Sequence, residues 1–152
     1  MAEAPIDPVP GDTEQAVPAA DAAQLPPLPR PKVQLELENF IALTSELARG
    51  ELVWESRPWF LEYSTNSACN LRCIMCSQVE DPPVVSTPHE ELGPFFEQVL
   101  RHTTVLTPSA TSEPLLNNMK RLGPYLEHYG VELDIITNAM LLTPEVTDSL
   151  IP

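Results

Sequence analysis

The chain has 152 residues, of which 22 are acidic and 8 are basic, and its formal net charge is -14. This length is typical of one domain. So acidic a chain argues against a broad positive surface for nucleic acid or for an anionic membrane. No apolar run approaches the roughly 20 residues that a membrane-spanning helix needs, and no secretory signal is recognisable at the N-terminus. The three cysteines all fall within residues 69–76, an odd number that forms no ordinary disulfide framework, so we expect a reducing, cytoplasmic location.

Prolines are concentrated in the N-terminal segment, where 8 of the 18 fall within residues 1–32. The rest of this segment is mostly Ala, Asp, Glu and Gln, without an aromatic residue. Such a segment buries too little apolar surface to offset the entropy cost of ordering. We therefore predict a disordered tail over 1–32, a leading helix and linker over 33–57, and a folded core over 58–152. A proline-rich ligand for a partner protein is the alternative for the tail.

Local patterns predict the first elements of the chain. Apolar residues recur at imperfect helical spacing over 35–49, and Gly50 is placed as a C-cap, which predicts a first helix. The aromatic-rich run 59–64 predicts a first strand. The sequence Thr-Pro-His-Glu at 87–90 matches a helix start, with Thr as the N-cap and Pro at the first helical position. We expect this second helix to turn four apolar residues toward the core: Phe95, Phe96, Val99 and Leu100.

The same alternation continues to the end of the chain. Residues 103–107 are rich in β-branched side chains and predict a second strand. Helical spacing over 115–129 predicts a third helix, which Pro124 should kink or split. Residues 131–137 predict a third strand, and Thr-Pro-Glu at 143–145 begins a fourth helix. Strands that alternate with helices predict an α/β fold with a parallel sheet.

The cysteines carry the strongest indication of chemistry. Cys69, Cys73 and Cys76 have the spacing C-x3-C-x2-C, in a loop directly after the first predicted strand. Closely spaced thiolates in an intracellular protein favour zinc or an iron–sulfur cluster. Three thiolates on a four-iron cluster leave one iron open to a small molecule, and the carboxyl end of a parallel sheet is where such folds place active sites. Zinc with a histidine as its fourth ligand is the alternative. The candidates are His89, His102 and His128, and none of them has the spacing from the cysteines that zinc fingers show.

The spacing and position of the cysteines resemble those of the radical SAM superfamily. Residues 64–73 (STNSACNLRC) are similar to the family's entry into its cluster loop. Residues 109–116 (SATSEPLL) stand where the family has a Gly-rich motif that ends in Glu-Pro, after the second strand. Residues 136–139 (ITNA) stand where it often has Thr-Asn-Gly, after the third strand. The resemblance covers about 58–152 and implies the N-terminal half of a partial (β/α)6 barrel, with three of the six strands.

The resemblance implies roles for the cysteines and for four other residues. The cysteines would ligate a 4Fe-4S cluster, and S-adenosyl-L-methionine would bind the fourth iron. One electron from the cluster would cleave it to methionine and a 5'-deoxyadenosyl radical, which would abstract hydrogen from a small-molecule or peptide substrate. Met75 would lie beside the adenine, and Asn138 would reach the cofactor. Glu113 and the backbone near Ser112 would meet the methionine amino group. An electron donor such as flavodoxin or ferredoxin is the implied partner, and no residue is assigned as catalytic.

Several departures and alternatives accompany this interpretation. Ala110, Ser112 and Ala139 replace glycines of the family motifs, and a Cβ at these positions restricts the approach of the backbone to a ligand. A charge at a helix N-terminus is the alternative for Glu113, a turn residue for Asn138, and simple packing for Met75. The alternatives for the whole chain are a zinc-stabilised structural module and a truncated, non-catalytic cluster-binding fragment. Because the barrel is incomplete, we expect little activity from this chain alone.

Overall fold

The computed structural model describes residues 25–64, 66–80, 82–85, 87, 89–109, 111–116, 119 and 122–150. Most of the predicted tail, residues 1–24, therefore lies outside the described residues. The helices are α1 (Lys32–Arg49), α2 (His89–Val99), α3 (Gly123–Tyr129) and α4 (Pro144–Leu150). The strands are β1 (Phe60–Glu62), β2 (Val105–Thr107) and β3 (Glu132–Leu133).

The strands form one open, parallel sheet in the order β1-β2-β3. Leu106 stands at the centre of the sheet, because it pairs with Leu61 on one side and with Leu133 on the other. A helix connects each strand to the next, as parallel pairing requires. The predicted α/β class and the predicted parallel sheet are confirmed.

The core lies between the sheet and the helices α2 and α3. Leu106 is fully buried, as are Phe96 of α2, Leu100 directly after α2 and Tyr129 of α3. Phe95 and Val99, also predicted to face the core, are partly buried against it. Burying an apolar side chain of this size contributes roughly 1.5–3 kcal/mol, so this cluster supplies much of the stability of the sheet.

Helix α1 covers Lys32–Arg49 and is followed by the C-cap Gly50, whose φ of 66° is the left-handed conformation typical of a glycine C-cap. Much of its apolar stripe does not face the core, because Phe40, Ile41 and Leu47 are all more than half exposed, at 60%, 55% and 56%. No helix in the described part of the chain, including the 18-residue α1, is long and apolar enough to cross a membrane.

Polar contacts hold the buried face of α1 instead. Asn39 exchanges two hydrogen bonds with the backbone of Arg57, at 2.8 and 2.7 Å. The carboxylate of Glu46 accepts the backbone N–H groups of Glu55 and Ser56 and the Ser56 hydroxyl. These contacts fix the linker that leads into β1. They also hold the pKa of Glu46 below its ordinary value, the Ser56 hydroxyl being the largest cause.

Several boundaries differ from the predictions. Strand β3 covers two residues, so the prediction over 131–137 is too long. The third helix is split, as predicted, but α3 is shorter than the predicted 115–129: a 3₁₀ turn covers Pro114–Leu116, and α3 starts at Gly123 with Pro124 in its first turn. Leu25 and Leu28, which the prediction assigned to the tail, pack against the core.

Candidate functional site

The loops that follow the three strands meet at the carboxyl edge of the sheet. Parallel strands all end at this edge, which brings together loops that are distant in sequence. The backbone N–H of Glu113, in the loop after β2, donates a hydrogen bond of 2.9 Å to the Ala68 carbonyl oxygen, directly before Cys69. The side chain of Glu113 also contacts the loop after β3. The sites predicted from these three loops therefore belong to one region.

Glu113 is the centre of this region and is only 2% exposed. Its Oε1 accepts hydrogen bonds from the Thr137 hydroxyl at 2.5 Å and from the Leu115 N–H at 3.1 Å. Its Oε2 accepts the backbone N–H of Asn138 at 3.0 Å. The ion pairs found in the described part of the chain lie elsewhere, so hydrogen-bond donors compensate the burial of this carboxylate.

Asn138 extends the contact to the cysteine loop. Its Nδ2 donates a hydrogen bond of 2.8 Å to Oδ1 of Asn70, the residue that follows Cys69. Its Oδ1 accepts the N–H of Met140 at 3.0 Å, which is the turn contact that short amide side chains make. Asn138 therefore fills the turn role considered for it and also joins the third loop to the first.

Ala139 has a φ of 63° and is the non-glycine residue with positive φ in the described part of the chain. The Cβ of an L-residue makes this left-handed conformation unfavourable by roughly 1–2 kcal/mol. A hydrogen bond of 3.0 Å from its N–H to the Thr137 hydroxyl oxygen helps to hold it. The position thus has the backbone conformation that favours glycine, the residue of the motif that this loop resembles. Ala110, which also replaces a glycine of the family motifs, lies outside the described residues.

The three cysteines share one loop without converging. All are free thiols; Cys73 is exposed, while Cys69 and Cys76 are partly buried. The N–H of Cys76 donates to the Cys73 carbonyl oxygen at 2.9 Å, and the N–H of Leu71 points at Sγ of Cys69 at 3.5 Å. Across the described ranges, no group of three or more His, Cys, Asp or Glu side chains is arranged to hold a metal ion.

The chemistry of these donors nevertheless fits an iron–sulfur cluster held by three thiolates. Both ends of the loop are fixed. Asn66 Oδ1 accepts the N–H of Ala68, and buried Gln78 donates to the carbonyl oxygens of Ser67 and Thr111 at 2.9 and 2.7 Å. Between these ends the chain is largely exposed. Gathering the thiols would therefore move an exposed segment and leave the core in place.

Two of the histidines considered as zinc ligands lie away from the cysteines. His102 belongs to the turn before β2, at the amino edge of the sheet. Nε2 of His128 lies 3.0 Å from the Pro26 carbonyl oxygen. The side chain of His89 is outside the described residues. Neither His102 nor His128 therefore supports a zinc site that includes the cysteines.

The other predicted residues are placed with fewer contacts. Met75 is 91% exposed, so it packs against little of the chain, contrary to the packing alternative. The Ser112 hydroxyl donates to the Ser64 hydroxyl oxygen at 3.2 Å, again linking the second loop to the first. The sequence reasoning missed Asn70 and Gln78 as members of this region. Asn70 lies within the cysteine motif and Gln78 two residues after it, and this closeness in sequence was the one indication that they belong to the site.

Comparison of the chain with protein-family models, with curated proteins and with solved structures finds no match. The resemblance to the radical SAM superfamily therefore gains no support from these comparisons. A functional interpretation depends on the residues of the chain and on the contacts among them.

Proposed function

We propose that the chain is a radical SAM protein that binds a 4Fe-4S cluster through Cys69, Cys73 and Cys76, with S-adenosyl-L-methionine beside it. One observation carries the proposal: the three segments that resemble family motifs meet at one edge of the sheet, through Glu113. When bound, the cluster supplies the electron that cleaves S-adenosyl-L-methionine reductively to a 5'-deoxyadenosyl radical. The open three-stranded parallel sheet is compatible with the N-terminal half of a (β/α)6 barrel.

Glu113 can both organise the site and contact the cofactor. Two carboxylate oxygens offer about four lone-pair positions. Three are used, two on Oε1 and one on Oε2. The remaining position on Oε2 suits a hydrogen of the methionine ammonium group. Asn138, which touches both Glu113 and the cysteine loop, would keep this oxygen oriented.

The exposed part of the cysteine loop limits what this chain does by itself. Ile74 and Met75 are 89% and 91% exposed, so little of the chain covers the thiols. Radical chemistry needs a site from which water is excluded. We therefore expect the chain to bind the cluster and the cofactor but to form little 5'-deoxyadenosine with dithionite.

Anaerobic reconstitution with iron and sulfide tests the cluster. We expect a brown protein with about four irons per chain. Cys73→Ser should lose most of the iron and the colour, whereas Ser77→Ala, on the same loop, should retain both. Stoichiometric zinc without visible absorbance, and no cluster in the native sequence, would contradict the proposal and favour a zinc-stabilised module.

Binding of S-adenosyl-L-methionine to the reconstituted protein tests the second half of the proposal. Met75→Ala should weaken binding roughly two- to tenfold, because a sulfur–aromatic contact with the adenine contributes about 0.3–1.5 kcal/mol. Ile74→Ala is the matched control, since its side chain is similarly exposed and should leave the affinity unchanged. The reduced cluster's electron paramagnetic resonance spectrum should shift when the cofactor is added. A cluster that forms but whose spectrum does not respond would identify a non-catalytic cluster-binding fragment.

A further inference from the structure

A pocket of about 490 Å³ lies at the amino edge of the sheet, away from the cysteine loop. Arg57 reaches it from the segment before β1, and Arg101 and His102 from the turn before β2. Segments that precede parallel strands lie at the edge opposite to the loops that follow them. The proposed cluster site therefore does not account for this pocket.

The pocket concentrates positive charge in an acidic protein. The chain has 8 basic residues against 22 acidic ones, yet two of its arginines line this one cavity. The ion pairs in the described part of the chain join α1 to the residues just before and just after it, and neither Arg57 nor Arg101 belongs to one. Glu97 is also on the pocket wall but pairs with neither of them.

Three buried polar atoms at or beside the pocket lack a hydrogen-bond partner of good geometry: Nε of Arg101, Nδ1 of His102 and the hydroxyl of Tyr129. Arg101 interacts with the Tyr129 hydroxyl, which accounts for part of this set. Buried polar atoms are almost always paired in folded proteins, so the remaining exception, Nδ1 of His102 on the pocket wall, suggests an absent partner.

The charged groups around His102 determine the sign of the electrostatic potential at the pocket. Burial lowers the pKa of His102, and the cations Lys32, Arg57 and Arg101 lower it further. Glu38 of α1 opposes them weakly, and Glu97 faces the same pocket. Among the charged groups, the three cations outweigh Glu38, so the Coulomb contribution at His102 disfavours a further positive charge and favours an anion.

We propose that this pocket binds the phosphate group of a small molecule, with the guanidinium groups of Arg57 and Arg101 as the main donors and His102 as a third. Arginine presents paired N–H groups that match phosphate oxygens. Donors from two separate segments suit a tetrahedral group with three accessible oxygens better than a planar carboxylate. The volume leaves room for an organic part, since small-molecule pockets typically measure about 300–1,000 Å³.

Proton NMR of the full chain tests the proposal, with inorganic phosphate as the probe at constant ionic strength. A bound anion stabilises the imidazolium, so the pKa of His102 should rise on addition of millimolar phosphate. The spectrum of His102→Gln identifies the resonance. Arg57→Gln and Arg101→Gln should each weaken phosphate binding by about tenfold or more, because each removes charge-assisted hydrogen bonds.

Arg49→Gln is the control, because this arginine is exposed and pairs with Glu51 away from the pocket. Its phosphate affinity should match that of the native sequence. Circular dichroism checks that each variant folds, and Arg57 is exposed enough to make its replacement safe for the core. An unchanged pKa of His102 in phosphate, or equal weakening by all three arginine variants, would overturn the proposal. Equal affinity for succinate would overturn the choice of phosphate over carboxylate.

Discussion

The backbone N–H of Asn138 donates a hydrogen bond of 3.0 Å to Oε2 of Glu113, although 25 positions separate the two residues. The bond joins the loop after β3 to the loop after β2. Because Asn138 also bonds to Asn70, the same contact reaches the cysteine loop. The carboxyl edge of the sheet is therefore one hydrogen-bonded unit, with a buried carboxylate at its centre.

Replacing Glu113 with Gln should destabilise the protein by about 1–3 kcal/mol, the usual cost of a buried group left unpaired. The amide nitrogen of Gln must face a backbone N–H at one of the two positions that the carboxylate serves, either that of Leu115 or that of Asn138. Urea unfolding measures the change. Glu132→Gln, at an exposed position of β3, is the control and should change stability by less than about 0.5 kcal/mol. Equal stability of both variants would contradict the central role of Glu113.

Replacing Ala139 with Gly should stabilise the protein by about 0.5–1 kcal/mol. Glycine removes the steric cost of the positive φ, and this gain exceeds the entropy that glycine adds to the unfolded chain. The same change at Ala42, in the middle of α1, should destabilise by about 1 kcal/mol, because glycine is a poor helix former. Thermal or urea unfolding of the two variants should thus give shifts of opposite sign.

Replacing Lys32 with Met should destabilise the protein by about 1–2 kcal/mol. The ammonium group donates to the carbonyl oxygens of Leu100 and Thr103, at 2.7 and 2.5 Å, and so caps the end of α2 from α1. Burial lowers the pKa of Lys32 and Glu36 partly opposes it, so desolvation offsets some of the gain from these bonds. Arg30→Gln is the control, since its ion pair with Glu38 is exposed and contributes about 1 kcal/mol at most. The difference between the two variants in urea unfolding checks the prediction.

Local rules accounted for the order of the elements. Gly50 adopts the left-handed C-cap conformation, and Pro124 lies in the first turn of α3. Thr143 accepts the N–H of Val146 at 3.3 Å, at the start of α4. Each of these depends on one or two residues and their immediate neighbours, so a single sequence was sufficient to predict them.

Element lengths and the buried face of α1 depend on distant residues. Strand β3 covers two residues and pairs with β2, and one further hydrogen bond, from the Asp134 N–H to the Leu106 carbonyl oxygen, follows it. In α1, Asn39 and Glu46 are buried because they bond to the linker backbone, while the more apolar Phe40 stays exposed. Apolar periodicity assigns the opposite environments, since it contains nothing about the linker.

The order of the motifs predicted which loops form the candidate site, because loops that follow parallel strands share an edge. It did not predict that Glu113 binds Thr137 and Asn138, nor that Asn70 bonds to Asn138. Pairings between polar side chains require the relative positions of loops, which no local pattern contains. The spacing of the cysteines also did not predict that their thiols stay apart in the described part of the chain.

The stability of the protein should fall on mild acidification because of His102. Burial and the cations around it, Lys32, Arg57 and Arg101, place the pKa of His102 in the folded protein below its ordinary value of about 6.5. Between these two pKa values the unfolded chain binds more protons than the folded one, so the free energy of unfolding rises with pH in that window. His102 thus favours the folded state fully above a pH of about 6.5, and its contribution declines as the pH falls toward its folded pKa. Urea unfolding at several pH values measures this slope, and His102→Gln should flatten it. A slope that persists unchanged in His102→Gln would assign the effect to other groups.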